Sequence, residues 1–247
     1  MMKIQTKYLA ITVPDYCSFG EETALKNAAI IAGFENVTIV SEAVALALSY
    51  GFFRRKEMFN SDNRPRTIAF IDLGHSKTTV TFSKFGRVSF EILGCFSERN
   101  LGIRDFDRAV MIELGKRFAK KYKIKTNPYE NIRARIPLRD AVEKARKMLT
   151  ADKESRVIVD CLAEDEDMSE LLKRDDFEDI TKELLSQFRI LVEQAYAIFK
   201  QKNVGITVDS IELVSDGTRI PVIQKIVQEV FAAEKLMRTM NSKDCLS

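Results

Sequence analysis

The sequence predicts an α/β fold, and three observations carry the prediction. Apolar and β-branched runs mark consecutive strands at Thr67–Leu73, Thr78–Phe85 and Arg87–Cys95, joined by short turns. A stretch with helical spacing follows from about Arg104 to Tyr122, where Phe106, Val110, Leu114 and Phe118 recur along one face. The chain then returns late to a strand–turn–helix unit, with a strand at Ile206–Val214 and a helix at Ile220–Phe231. The largely helical stretch between them, 102–183, reads as an inserted α+β subdomain.

Earlier elements follow from local signals. Tyr8–Val13 is strand-like and stops at Pro14. Ser18-Phe-Gly-Glu21 has the form of a capping box that opens a helix over Glu21–Ala32, closed by Gly33. Val37–Val40 is a short β-branched run, and Ser41 caps a second helix over Glu42–Tyr50 that ends at Gly51. The polar stretch Phe52–Arg66 reads as a linker and sets a first boundary. Beyond it, Pro137 begins a helix running to about Ala151, Val157–Cys161 is strand-like, Glu164–Asp167 is an acidic turn, and Asp176–Lys202 is helical. The resulting organisation is 1–61, then 62–101 joined with 184–247, with 102–183 between them. Both ends read as interior to a longer chain.

Composition narrows the chemistry. The 247 residues are 45% apolar and 30% charged, with net charge +3, and a chain of this length buries about 70–75% of its unfolded surface. The absence of a long apolar run argues against a membrane partner, and the near balance of charge argues against nucleic acid. The basic cluster from Lys116 to Lys125 falls at a helix C-terminus, where cations complement the dipole. The four cysteines have no metal or disulfide spacing and read as reduced thiols. A single histidine, His75, excludes multi-histidine metal sites, and neither GxGxxG nor GxxxxGK[ST] occurs.

Three stretches are candidates for chemistry. In Asp72-Leu-Gly-His-Ser-Lys77-Thr78, an acid at a strand end precedes glycine and hydroxyls; this suits phosphate and hydrated Mg²⁺, and equally an ordinary hairpin turn. Glu143, Arg146, Lys147 and Thr150 form a polar stripe opposite Leu138, Val142, Ala145 and Leu149; the stripe is either a solvated face or a binding wall. In Ser215-Asp-Gly-Thr-Arg219, Gly217 permits close backbone approach and Arg219 offers a planar guanidinium for stacking on a base; the same residues also make a capping turn.

In chain order, ITVPDY, AAIIAGF, IVSEAVALALSYG, FIDLGHS, NLGIRDFD, VEKARKMLT and SDGTRIP resemble the seventy-kilodalton heat-shock chaperones of the actin-like ATPase superfamily. Asp-Leu-Gly-His in place of a triple-glycine loop, Arg104 before Asp105-Phe-Asp107, and the acidic run before Met168 resemble the hundred-and-ten-kilodalton branch, which acts as exchange factor and holdase. The resemblance implies an incomplete actin-like, ribonuclease-H-like fold, mainly its second lobe. It also implies a cytoplasmic protein that binds ATP or ADP with Mg²⁺, partners a smaller chaperone of the same family, and meets unfolded polypeptides through segments outside this sequence.

Residue by residue, the resemblance places Asp72 on Mg²⁺ through water, Glu42 near the attacking water, and the amides around Gly74 on phosphates. His75 and Ser76 then stand in the phosphate loop. Glu143, Arg146, Lys147 and Thr150 face the adenosine, Ser215 and Asp216 lie near the sugar and phosphates, Gly217 and Arg219 pack the base, and Pro14 is the relay proline. The first phosphate loop and catalytic lysine would precede Met1, and the substrate-binding domain and lid would follow Ser247. Departures from the pattern at His75, Ser76, Ser215-Asp216, Glu22 and Ile103 favour binding with weak or no hydrolysis. A true ATP-hydrolysing chaperone and a non-enzymatic actin-like scaffold are the competing readings.

Overall fold

The computed structural model describes residues 7–59 and 64–240. The expected boundary at 61–62, the extreme N-terminal residues and the tail containing Cys245 lie outside them. Strand β1 (Tyr8–Val13) pairs in parallel with β2 (Asn36–Ser41) across the helix α1 (Phe19–Ile31). The capping box forms as expected: the Ser18 amide donates to Glu21 Oε2 at 2.8 Å, and the Glu21 amide donates to Ser18 Oγ at 3.3 Å.

The second helix is longer than its sequence signals suggest. α2 (Glu42–Met58) runs straight through Gly51 and takes in much of the expected linker. Packing overrides the helix-breaking tendency of glycine here. Tyr50 meets Phe70 edge-on at 5.1 Å, and a Cβ at Gly51 would already stand 3.3 Å from the Phe85 ring.

The central sheet has the order β5-β4-β3-β8, with β3 (Arg66–Leu73) antiparallel to β4 (Thr78–Phe85) and β4 antiparallel to β5 (Phe90–Glu98). β8 (Ser210–Leu213) lies parallel to β3 and is shorter than expected, 206–209 being outside the strand. Alternation along the strands separates two cores. Ile68, Phe70 and Phe85 pack with Leu46, Ala47 and Tyr50 of α2. Ala69, Ile71, Leu73, Val80 and Phe82 turn to the other face, where Phe82 stacks on Phe199 with centroids 4.3 Å apart. Burying each such aromatic contributes about 1.5–3 kcal/mol.

That second core continues without a break into the intervening stretch. It joins α3 (Ile103–Tyr122), α4 (Ile132–Leu149), the hairpin of β6 (Glu154–Ala163) and β7 (Glu166–Lys173), and α6 (Lys182–Lys202) with α7 (Pro221–Phe231). Three expectations are corrected here. α4 starts at Ile132, not Pro137, because the Asn131 side chain caps it by accepting the Arg133 amide at 2.9 Å. The helix expected over Asp176–Lys202 is two: α5 (Arg174–Ile180) ends at Thr181, whose hydroxyl donates to the Phe177 carbonyl at 2.7 Å. The acidic turn opens a strand that the sequence pattern does not announce, β7, on which Met168 and Leu172 are buried.

Candidate functional site

Three hollows take in six of the expected site residues: Glu42, Asp72, His75, Glu143, Arg146 and Thr150. The first is a small space of about 20 Å³ between α2 and the sheet, lined by Glu42, Asp72, Thr79 and Thr81 among others. Asp72 reaches it from the end of β3, and Glu42 from the first turn of α2, where Ser41 caps the helix. Asp72 Oδ1 is buried without a hydrogen-bond partner among the described residues. Burial pushes the Asp72 carboxyl above the usual range, Glu42 adds to that rise, and Lys77 opposes it. Glu42 itself is ion-paired with Lys77, both side chains being largely shielded at 21% and 14% exposed.

The turn after Asp72 is closed upon itself. The Gly74 amide donates to the Lys77 carbonyl at 2.9 Å, so it is spent within the turn instead of facing a phosphate. The carbonyls of Gly74 and His75 accept the first amides of α3, from Ile103 at 2.9 Å and Arg104 at 3.1 Å. Gly102 allows this approach: a Cβ there would lie 2.4 Å from the His75 carbonyl oxygen and 2.5 Å from the Ser76 backbone. His75 and Ser76 are not among the positive-φ residues, so the expected strain of replacing glycine does not arise at either.

The second hollow, a cleft of about 380 Å³, lies between the His75 turn, α3 and α4. His75, Arg104, Asp105, Arg139, Glu143 and Arg146 contribute its polar lining. The expected stripe on α4 is not uniform. Lys147 is exposed and donates to Glu143 at 2.6 Å, which together with the ammonium charge draws the Glu143 carboxyl below the usual range. Arg146 is buried and donates to both oxygens of Asp107, at 2.6 and 3.2 Å. Its guanidinium is engaged by Asp107 where Arg146 lines the cleft.

A third, narrow hollow of about 10 Å³ joins Arg146 and Thr150 to Ile220 and Pro221. Arg146 lines both of the last two hollows, which makes α4 their common wall. The 215–219 turn faces inward more than expected. Ser215 Oγ donates to the Leu73 carbonyl at 2.7 Å, and a Cβ at Gly217 would lie 2.3 Å from that same oxygen. Gly217 thus allows close approach of this turn to β3. Asp216 and Arg219 pair at 3.3 Å on the exposed rim.

Pro14 lies on a turn tied to both sides of the first hollow. Its carbonyl accepts the Cys17 amide at 2.9 Å, Asp15 accepts the Ala43 amide at 3.0 Å, and Arg99 donates to the Tyr16 carbonyl at 2.9 Å. Nearby Cys95 has its thiol pushed up to about 12, chiefly by burial, which leaves it unreactive.

The family is decided by sequence comparison. The Hsp70 protein family model matches residues 2–247. The chain belongs to the Hsp70 family. It is 33% identical to heat shock 70 kDa protein 16 of Arabidopsis thaliana over 249 residues, covering 100% of this chain and 31% of that protein. It is 31% identical to a heat shock protein homolog of Saccharomyces cerevisiae over 239 residues, covering 97% of this chain and 34% of the relative. Heat shock protein 88 of Dictyostelium discoideum is 33% identical over 239 residues, with 96% of this chain and 29% of the relative covered. The chain thus spans about a third of the length of these Hsp70-type relatives.

Membership implies the actin-like ATPase fold, with which the mixed-sheet α/β architecture agrees, and Hsp70-family domains in general bind ATP or ADP with Mg²⁺. In its donor chemistry Asp72 fits a hydrated cation, since its orphaned oxygen lacks a donor that bound water would supply. Glu42 does not fit one, because Lys77 occupies its carboxylate. No helix among the described residues is long and apolar enough to cross a membrane. Sequence reasoning missed Lys77 and Asp107 as partners. Both lie within quoted motifs, yet Lys77 is 35 residues from Glu42, and Asp107 is 39 from Arg146. No local spacing links either pair.

Proposed function

We propose that this chain is part of the nucleotide-binding domain of a chaperone of the hundred-and-ten-kilodalton type, holding ATP or ADP with weak or no hydrolysis. The observation that carries the reading is the cleft in which His75 meets Glu143 and Arg146, with α4 continuing as a wall to Thr150 and Ile220. His75, Glu143, Arg146 and Thr150, assigned to one ligand by resemblance, line two hollows that share Arg146, which supports the reading. Within them, His75 and Arg104 suit the phosphates, and Glu143 and Thr150 suit the sugar and base edge, with Lys147 on the exposed face of α4 beside Glu143.

Weak turnover follows from the chain's own residues. Glu42 is held by Lys77 and the Gly74 amide by Lys77's carbonyl, so neither is poised to orient water or to receive developing charge. The cellular role in this reading is cytoplasmic: exchange-factor assistance to a smaller Hsp70, with unfolded polypeptides handled by parts outside these residues. The domain division is 1–61 as first-lobe remnant, 62–101 with 184–247 as second-lobe core, and 102–183 as inserted subdomain. The test is ADP release from a smaller Hsp70 partner, followed by fluorescent ADP, with and without the intact protein. Acceleration is expected. No acceleration, with ATP turnover that falls sharply in Asp72→Ala and Glu42→Gln, would replace the reading with an authentic ATPase.

A further inference from the structure

Lys77 is the feature of the site that no expectation absorbed. Its ammonium is ion-paired with Glu42 and sits 5.4 Å from the centroid of the Tyr16 ring. The same ring carries the Arg99 guanidinium at 4.0 Å on the turn that follows Pro14. Glu42 and Asp72 line one small hollow, and the ammonium acts electrostatically on both. The turn that presents Lys77 is fixed from behind: Gly74 bonds back to the Lys77 carbonyl, and the Thr78 hydroxyl donates to the Leu101 carbonyl at 2.6 Å. The cation is therefore held by two acids' field, an aromatic face and a locked turn.

We infer that Lys77 is a resident cation of this site, tethered beside Glu42 and Asp72, where it takes over the charge that a divalent metal would otherwise supply. Two carboxylates in one partly shielded hollow form an attractive divalent site only while their charge is uncompensated. A covalently attached ammonium paired with one of them compensates that charge without depending on free cation concentration. The donor chemistry of Asp72 suits a cation, and the cation beside it is already the Lys77 ammonium. The hollow is small, about 20 Å³, and Glu42 on its wall is already engaged by the Lys77 ammonium. Nucleotide binding on this side of the cleft then becomes independent of Mg²⁺. The inference deepens the nucleotide-binding reading and rests on it only in that last step.

The experiment titrates the intact protein with Mn²⁺ alone, followed by electron paramagnetic resonance, in wild type, Lys77→Met and Lys77→Arg. Wild type and Lys77→Arg are expected to show no binding that depends on Asp72. Lys77→Met is expected to bind Mn²⁺ about tenfold more tightly or better, and to lose that gain when Asp72→Asn is added. Mn²⁺ binding by wild type as tight as by Lys77→Met would overturn the inference. Should Lys77→Met fail to fold by circular dichroism, wild type decides by itself: Mn²⁺ binding abolished by Asp72→Asn overturns the inference, and its absence supports it.

A parallel arm measures ADP affinity with Mg²⁺ and with chelator. Wild type is expected to change by less than about twofold and Lys77→Met to gain about tenfold from Mg²⁺. If neither protein binds ADP while the Mn²⁺ contrast holds, the nucleotide reading falls and the resident cation stands. If ADP binds and the Mn²⁺ contrast is absent, the reverse is true.

Discussion

Arg146 and Asp107 are locked together beneath the cleft by hydrogen bonds of 2.6 and 3.2 Å, with both side chains less than a tenth exposed. The pair ties α4 to α3, the two helices that flank the 380 Å³ cleft. Arg146→Met leaves a buried carboxylate unpaired and is expected to cost about 3–5 kcal/mol in denaturant unfolding. Adding Asp107→Leu should recover most of that loss, because it removes the stranded charge. A single variant as stable as wild type would contradict the arrangement.

Lys147 separates binding from stability. Its pair with Glu143 is on the surface, so Lys147→Ala is expected to change unfolding free energy by no more than about 0.5 kcal/mol. ADP affinity measured by calorimetry should nevertheless weaken several-fold if α4 is the nucleotide wall. Unchanged affinity would return the stripe to a solvated face.

Glu212 gives a pH dependence with a definite sign. It is buried on β8, accepts the Thr239 hydroxyl at 3.0 Å and the Met240 amide at 3.1 Å, and has Oε2 buried without a partner among the described residues. Burial raises its carboxyl above the ordinary 4.5, against the pull of those hydrogen bonds and of Arg54. The folded state therefore binds the proton more tightly than the unfolded state. The associated stability is fully present below pH 4.5 and is lost as pH rises through the folded value. Glu212→Gln should flatten that part of the profile, measured as thermal midpoints at closely spaced pH from the acid side of the ordinary carboxylate range to neutrality.

Gly102→Ala tests the seating of the His75 turn. Its Cβ would meet backbone of His75 and Ser76, which cannot rotate away, and the expected cost is about 1–3 kcal/mol. Hydrogen exchange should rise at the Ile103 and Arg104 amides, whose acceptors are the displaced carbonyls.

The hairpin between β6 and β7 offers a stabilising change. Glu164 and Asp165 both adopt positive φ, 51° and 62°, a pairing that suits Asn-Gly far better than two acids. Glu164→Asn with Asp165→Gly is expected to raise stability by about 1 kcal/mol, read from the urea midpoint.

Several of these features could be read in the sequence and others could not. The capping box at Ser18, the strand Tyr8–Val13 and the helix ending at Phe231 rest on neighbours within a few residues, and they form as expected. Gly51 and Pro137 misled, because each is a local signal whose outcome distant packing or a side-chain cap decides, and the break at Thr181 carries no glycine or proline to announce it. β7 carries few β-branched residues, and it exists because Val159 and Val157 supply a partner strand that buries Met168 and Leu172.

By itself, then, the sequence determined the alternation of elements, the family through its ordered motifs, and the residue types that a nucleotide cleft needs. Those depend on short-range patterning and on a series of matches along one dimension. Tertiary structure alone decided which groups meet: that Lys77 closes Glu42, that Arg146 turns inward to Asp107 while Lys147 stays in water, and that Gly217 lies against the Leu73 carbonyl. Coulomb attraction and steric exclusion act over a few ångströms in space, and chain separation carries no record of those distances.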